Sequence, residues 1–228
     1  MGGRPERTIC IQIICSEYRS LSCYAGVVNL GAPILDITPG VRGELLQALS
    51  RLEQPVTRRQ LASLAGVAPG HASSVVQELI AGGLVSETTA GRSSMVSLNR
   101  DHLAVGAILA LAGLRGDLIR RLRQRVSHWS DLRGAWIFGS TGRGDGGNDS
   151  DIDLLLVVDD PDSEALHNRV SRLHGDVRSW TGNELQLVEY SVVSWRKLVR
   201  AKNPLVEQIR RDGIALTADA ESLLARVR

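Results

Sequence analysis

Two apolar runs, Gly134–Phe138 and Ile152–Val158, enclose a loop of glycine and small polar residues that has almost nothing to bury. That contrast constrains the fold more than any other feature of the chain. Short apolar runs bounded by glycine and small polar residues read as buried strands. Asp151 and Asp153 open the second run two residues apart, so on a strand their side chains point to one face. Like charges held that close raise each other's pKa and are costly without a cation between them. A divalent metal is the economical relief. The nearby ligands are all oxygens, which favours Mg²⁺, with Mn²⁺ as the alternative.

The neighbours of the carboxylate pair extend this chemistry. Gly139 permits a sharp turn and a close approach of backbone to a ligand. Ser140 is placed to open a helix, offering a hydroxyl and free N–H groups to a phosphate. Arg143 can neutralise phosphate charge with two parallel hydrogen bonds. A phosphate cradle beside a metal site is the arrangement expected for phosphoryl or nucleotidyl transfer. A plain polar hairpin would leave the Gly-Ser pair, the arginine and the matched apolar flanks as coincidences.

Gly139-Ser140, ten intervening residues and then Asp151-Ile152-Asp153 resembles the signature of the polymerase-β-like nucleotidyltransferase superfamily. The wording Phe-Gly-Ser-x-x-Arg-Gly followed by Ser-Asp-Ile-Asp-Leu is similar to its minimal branch. The resemblance implies a nucleoside triphosphate substrate held with Mg²⁺. Asp151 and Asp153 would be the catalytic and metal-binding residues, and Gly139, Ser140, Arg143 and Ser150 would bind the nucleotide. A nucleoside monophosphate would pass to an acceptor hydroxyl with release of pyrophosphate. Acceptors in the minimal branch include small molecules and the side chains of toxin-like partner proteins.

One position departs from the pattern. The superfamily places a third acid on the next strand, and the register of Glu184–Glu189 puts Gln186 there. An amide oxygen can ligate a metal but cannot act as a base. Glu184 shares a face with Gln186 by the period of two, whereas Glu189 points the other way. Glu184 and Gln186 are therefore the candidates for a further metal ligand. The departure keeps two rivals to an active transferase: a transcription regulator whose transferase-like domain senses nucleotide, and an antitoxin-like partner that neutralises a toxin by binding.

Upstream, residues 41–100 read as three helices and a hairpin. Leu45, Leu46, Leu49 and Leu52 give an amphipathic first helix; Thr57 is an N-cap for a second; Pro69 suits the first turn of a third. Leu84–Glu87 and Ser94–Leu98 alternate around Ala90-Gly91 as a hairpin. This order resembles a winged helix-turn-helix domain. The resemblance implies DNA contacts from His71, Ser73, Ser74 and Gln77 on the third helix and Arg92 at the wing tip, and homodimers are common among such domains. The third helix is nearly uncharged, which departs from strong DNA binders.

The expected fold class is α+β, a winged helix-turn-helix followed by a nucleotidyltransferase-type α/β domain with a small mixed sheet. Residues 1–40 are expected to be a poorly ordered extension with a strand at Thr8–Ile14, and residues 101–228 to be the transferase domain. One long helix over 101–130 should lead that domain, with Arg120, Arg121, Arg123 and Arg125 on its solvated face or directed at a triphosphate. The net charge of +2 argues no general attraction to nucleic acid. Cys10, Cys15 and Cys23 lack the spacing of a zinc or disulfide framework. Thr8–Cys15 is apolar, but Glu17 and Arg19 interrupt it before any signal-peptide pattern is complete. No membrane association and a cytoplasmic location are expected.

Overall fold

In the computed structural model, residues 27–91 and 93–225 are described. The strand expected at Thr8–Ile14, the three cysteines and Arg92 lie outside the described residues.

The first core is helical. α1 (Ile34–Ile37), α2 (Val41–Ser50), α3 (Arg58–Leu64) and α4 (Pro69–Ala81) surround Leu45, Leu49, Leu61, Val76 and Leu79, all with 1% exposure or less. Each such burial stabilises the fold by about 1.5–3 kcal/mol. α3 begins where Thr57 accepts from the Gln60 amide while the Gln60 side chain returns to the Thr57 backbone, a complete capping box. α4 starts on Pro69, whose missing N–H costs nothing in a first turn. The hairpin of β2 (Val85–Ala90) and β3 (Ser93–Leu98) follows, and β3 also pairs with β1 (Val56–Thr57), giving sheet order β1-β3-β2.

The second unit is a mixed four-stranded sheet in the order β6-β5-β4-β7, formed by β4 (Leu132–Phe138), β5 (Ile152–Val158), β6 (Leu185–Ser191) and β7 (Ile214–Ala215). β4 runs antiparallel to β5 and β7, and β5 runs parallel to β6. A parallel pair needs a crossover, and α8 (Glu164–Thr181) supplies it. Ile152, Leu154, Leu156 and Val158 face α8 and α6 (Leu114–Val126), which bring Leu122, Leu166, Leu173 and Val177. Leu155, Val157, Trp136 and Phe138 face α9 (Val192–Arg200) and α10 (Pro204–Asp212), which bring Trp195, Val199, Val206 and Ile209. Both faces are covered, so β5 is apolar without alternation. Trp136 and Trp195 meet at 5.6 Å between ring centroids within that second layer, and a 3-10 turn at Ala220–Leu224 closes it.

Two expectations need correction. The helix expected over 101–130 is two helices, α5 (Leu103–Ala112) and α6, divided at Gly113. Val105, Ile108 and Leu109 of α5 join the first core, whereas Leu118, Ile119 and Leu122 of α6 join the second. One straight helix cannot turn its apolar stripe to two separate cores, so the chain breaks between them. The cores therefore divide at Gly113 rather than at residue 100. Residues 27–40 are also not a loose extension. Leu30 is buried in the second core and Ile34 in the first, and the buried Gln47 side chain accepts the Ile34 amide at 3.2 Å. None of the described helices is long and apolar enough to cross a membrane.

Candidate active site

The site forms where β4 ends and β5 begins. Phe138 is paired with Asp153 across the antiparallel strands, and Asp153 is paired with Gln186 across the parallel ones. Three strands thus bring Gly139, Asp153 and Gln186 to one end of the sheet. The chain turns at Gly139, which has φ 62°, a conformation that a side chain strains. A Cβ there would also run into the Asp153 carboxylate. Glycine is required twice over: for the turn, and because the carboxylate rests on its Cα.

α7 (Gly139–Arg143) is a single tight turn after β4. It begins at Gly139, so Ser140 lies in its first turn rather than capping it. The Ser140 and Ser150 hydroxyls converge on Gly146, where a Cβ would lie 3.2 Å from one and 3.5 Å from the other. Ser150 also accepts the Gly147 amide at 2.9 Å, tying the end of the glycine-rich loop back on itself. Arg143 donates to Asp145 at 3.0 Å and lies 3.9 Å from Asp212. These carboxylates hold the guanidinium pKa above its ordinary value, the Asp145 hydrogen bond contributing most. A phosphate would have to compete with them.

The two aspartates differ. Asp151 is exposed and Asp153 is partly buried. Burial pushes the Asp153 carboxyl above the ordinary range, the Asp151 charge adds to that rise, and Arg143 opposes it. A carboxylate strained by desolvation and by a like charge suits a cation. Gln186 donates its amide to Asp151 at 3.1 Å, so the third position of the acid pattern is filled by a group that touches the pair without adding charge. The Glu184 side chain pairs with Arg178 at the end of α8. Glu189 faces the opposite side of the sheet near His167 and Asp162, where burial pushes its pKa up. Among the described residues, no cluster of three or more His, Cys, Asp or Glu side chains is placed to share an ion. The metal fit therefore rests on the two aspartates, with the Gln186 amide able to turn its oxygen inward.

Two residues at the site escape sequence reading. Asn183, 3% exposed, donates to the Ser150 carbonyl at 3.0 Å and the Val28 carbonyl at 3.3 Å, buttressing the start of β5. Asp212 reaches Arg143 from the end of α10. Both come from far along the chain, and no spacing announces them. Arg120, Arg121, Arg123 and Arg125 of α6 are engaged elsewhere. Arg120 pairs with Asp117, Arg123 donates to the Ala215 carbonyl at 3.0 Å, and Arg121 and Arg125 lie over the Trp180 ring. On the helical unit, His71, Ser73, Ser74 and Gln77 share the exposed face of α4. Gln77 is already engaged by Arg58 at 2.9 Å.

No curated protein matches the chain. Among solved structures, a toxin–antitoxin complex with AMP-PNP is 22% identical with a TM-score of 0.32, over 48% of this chain and 80% of that one. The protein Rv1404 from Mycobacterium tuberculosis is 22% identical with a TM-score of 0.31, over 42% and 68%. A MarR family transcription regulator is 20% identical with a TM-score of 0.30, over 44% and 66%. Residues 119–214, which hold the whole glycine-rich loop and both aspartates, match the family described as nucleotidyltransferase domain. The carboxy-terminal unit is thus a nucleotidyltransferase domain of the polymerase-β-like kind, set behind a helical unit with a small sheet of its own.

Proposed function

We propose that the protein is a nucleotide-responsive regulator, in which a nucleotidyltransferase domain takes up a nucleoside triphosphate with Mg²⁺ and turns it over weakly. The observation that carries this reading is Gln186, held against Asp151 and in register with Asp153 where a third acid would stand. Asp151 and Asp153 would hold the metal, and Mn²⁺ would fit the same oxygens. Ser140, Ser150 and Arg143 would hold the phosphates. Bound there, the metal would neutralise phosphate charge and polarise the phosphoryl group. An amide cannot take the proton from an attacking hydroxyl, so binding outlasts catalysis. The helical unit has the element order of a winged helix-turn-helix, and α4 would meet DNA through His71, Ser73 and Ser74.

A second reading is full transfer to the hydroxyl of a protein or small-molecule acceptor, including a toxin-like partner. The intact seat of Asp153 on Gly139 and the exposure of Asp151 favour it. Labelled ATP, GTP, CTP and UTP with Mg²⁺ separate the two. The expected result is nucleotide binding that depends on Asp153, with little pyrophosphate release, rising at least about tenfold in Gln186→Asp as a base is restored. Rapid release by the wild type supports the second reading. Failure to bind any of the four nucleotides overturns both.

A further inference from the structure

The glycine-rich loop is held from outside the segment that matches the transferase family. Arg115, on the first turn of α6, donates through Nε to the Thr141 carbonyl at 2.6 Å and through Nη2 to the Gly142 carbonyl. These are carbonyls of α7, which carries Ser140 and leads to the loop. A Cβ on Gly144 would lie 3.2 Å from the same guanidinium, so the loop is wrapped closely over it. On the far side, the Gly31 amide donates to the Gly146 carbonyl at 3.0 Å. A Cβ on Gly31 would run into that carbonyl, so the two backbones meet with no room for a side chain. Gly31 is in turn held by Arg51, which caps α2 of the helical unit and donates to the Gly31 carbonyl. Burial lowers the Arg115 pKa, and the charge of Arg51 adds to that fall.

Gly31 sits at the crossing between the two cores. Leu30 is buried with the sheet of the transferase domain, and Ile34 with the helical unit. Val28 extends the tie, donating to the Thr181 carbonyl at 2.9 Å and accepting from Asn183, which also holds Ser150. Residues 28–34 thus form a strap that meets the loop at Gly146 directly and at Ser150 through Asn183, and its anchor is the helical unit.

We propose that Gly31, Arg51 and Arg115 form a clamp through which the helical unit sets the conformation of the nucleotide loop, so that what the helical unit binds and what the loop binds are coupled. The nucleotide side rests on the reading of the site given above. These three are positioning residues: they act through α7 and Gly146, and none is placed against the aspartates. Coupling of this kind is reciprocal, since a ligand that orders the loop must also favour the strap and helical arrangement that fits it.

Hydrogen exchange on the full chain without ligand tests the clamp by itself. In Gly31→Ala, Arg51→Ala and Arg115→Ala, amides of residues 140–150 should exchange about fivefold faster or more, while those of β5 and α8 keep their protection. Arg115→Lys should recover part of the protection by donating to one carbonyl. Gly116→Ala, whose Cβ would meet open space, should leave the loop unchanged. Titration with Mg-ATP and Mg-GTP gives the second arm, with affinity expected to fall about fivefold or more in the three clamp variants. Unchanged exchange over 140–150 in Arg51→Ala and Arg115→Ala overturns the clamp, as does wild-type affinity in those variants. If the wild-type chain binds no nucleotide yet the variants loosen the loop, the clamp stands and the nucleotide reading falls.

Discussion

The helical unit and the transferase domain handle their polar residues in opposite ways. In the transferase domain, the loop between β4 and β5 gathers Ser140, Arg143, Ser150, Asp151 and Asp153 at one end of a sheet, and like charges are forced together there. In the helical unit the charges are spent on each other. Arg42 pairs with Glu78, and Arg58 engages Glu87 and Gln77, so α4 presents mostly small polar groups. The first arrangement stores electrostatic strain that a bound cation would relieve. The second is self-neutralised, and a partner must displace internal pairs or rely on shape and hydroxyls.

The contrast breaks most visibly at Asp153. Asp153→Ala should weaken Mg-nucleotide affinity by more than about a hundredfold, because loss of a supporting group around a metal alone costs about 10–100-fold. The helical unit should melt as before, as calorimetry on the full chain can show. If the affinity survives, the charge at this end of the sheet is incidental. Gly139→Ala is the next largest. It combines a strained φ, which costs about 1–2 kcal/mol, with displacement of the Asp153 carboxylate. Both denaturant midpoint and nucleotide affinity should fall together; loss of stability with unchanged affinity would show that the seat of Asp153 does not matter.

Thr57→Ala sharpens the other side. It should cost about 1 kcal/mol of stability by removing the α3 cap, with no change in nucleotide affinity, read by urea unfolding and titration. The smallest effect belongs to Glu189. Burial raises its pKa in the fold, so its ionisation opposes folding. The folded state is favoured while the carboxyl is protonated, below the ordinary glutamate range, and loses stability as pH rises through the raised value. Glu189→Gln should therefore raise the melting temperature by about 1–2 °C at neutral pH and by nothing at acid pH. An equal rise at both would remove charge as the cause.

Local chemistry was legible where it is written in consecutive residues. The glycine turn, the Thr57 cap, the Pro69 start and the hairpin at Ala90-Gly91 are each set by a few neighbours, and the observed elements follow them. Gln186 opposite Asp153 could be read because β6 has an unambiguous period of two. The helix over 101–130 could not be divided by periodicity, since α5 is apolar on every side and so shows no stripe whose direction could be compared with that of α6. Residues 28–34 have no long pattern, yet they bury Leu30 and Ile34 because two surfaces happen to flank them.

By itself, then, the sequence determined the make-up of the loop: two carboxylates two residues apart, a glycine that must turn, and hydroxyls and an arginine close by in the chain. Spacing along a strand or a turn is a property of covalent geometry and carries over to any fold containing it. Tertiary structure alone decided that Asp153 rests on Gly139, that Glu184 is taken by Arg178, and that Asn183, Arg115 and Gly31 hold the loop from elements far apart in the chain. Those contacts depend on how two cores pack across a short strap, and packing partners leave no periodic mark in the residues that receive them.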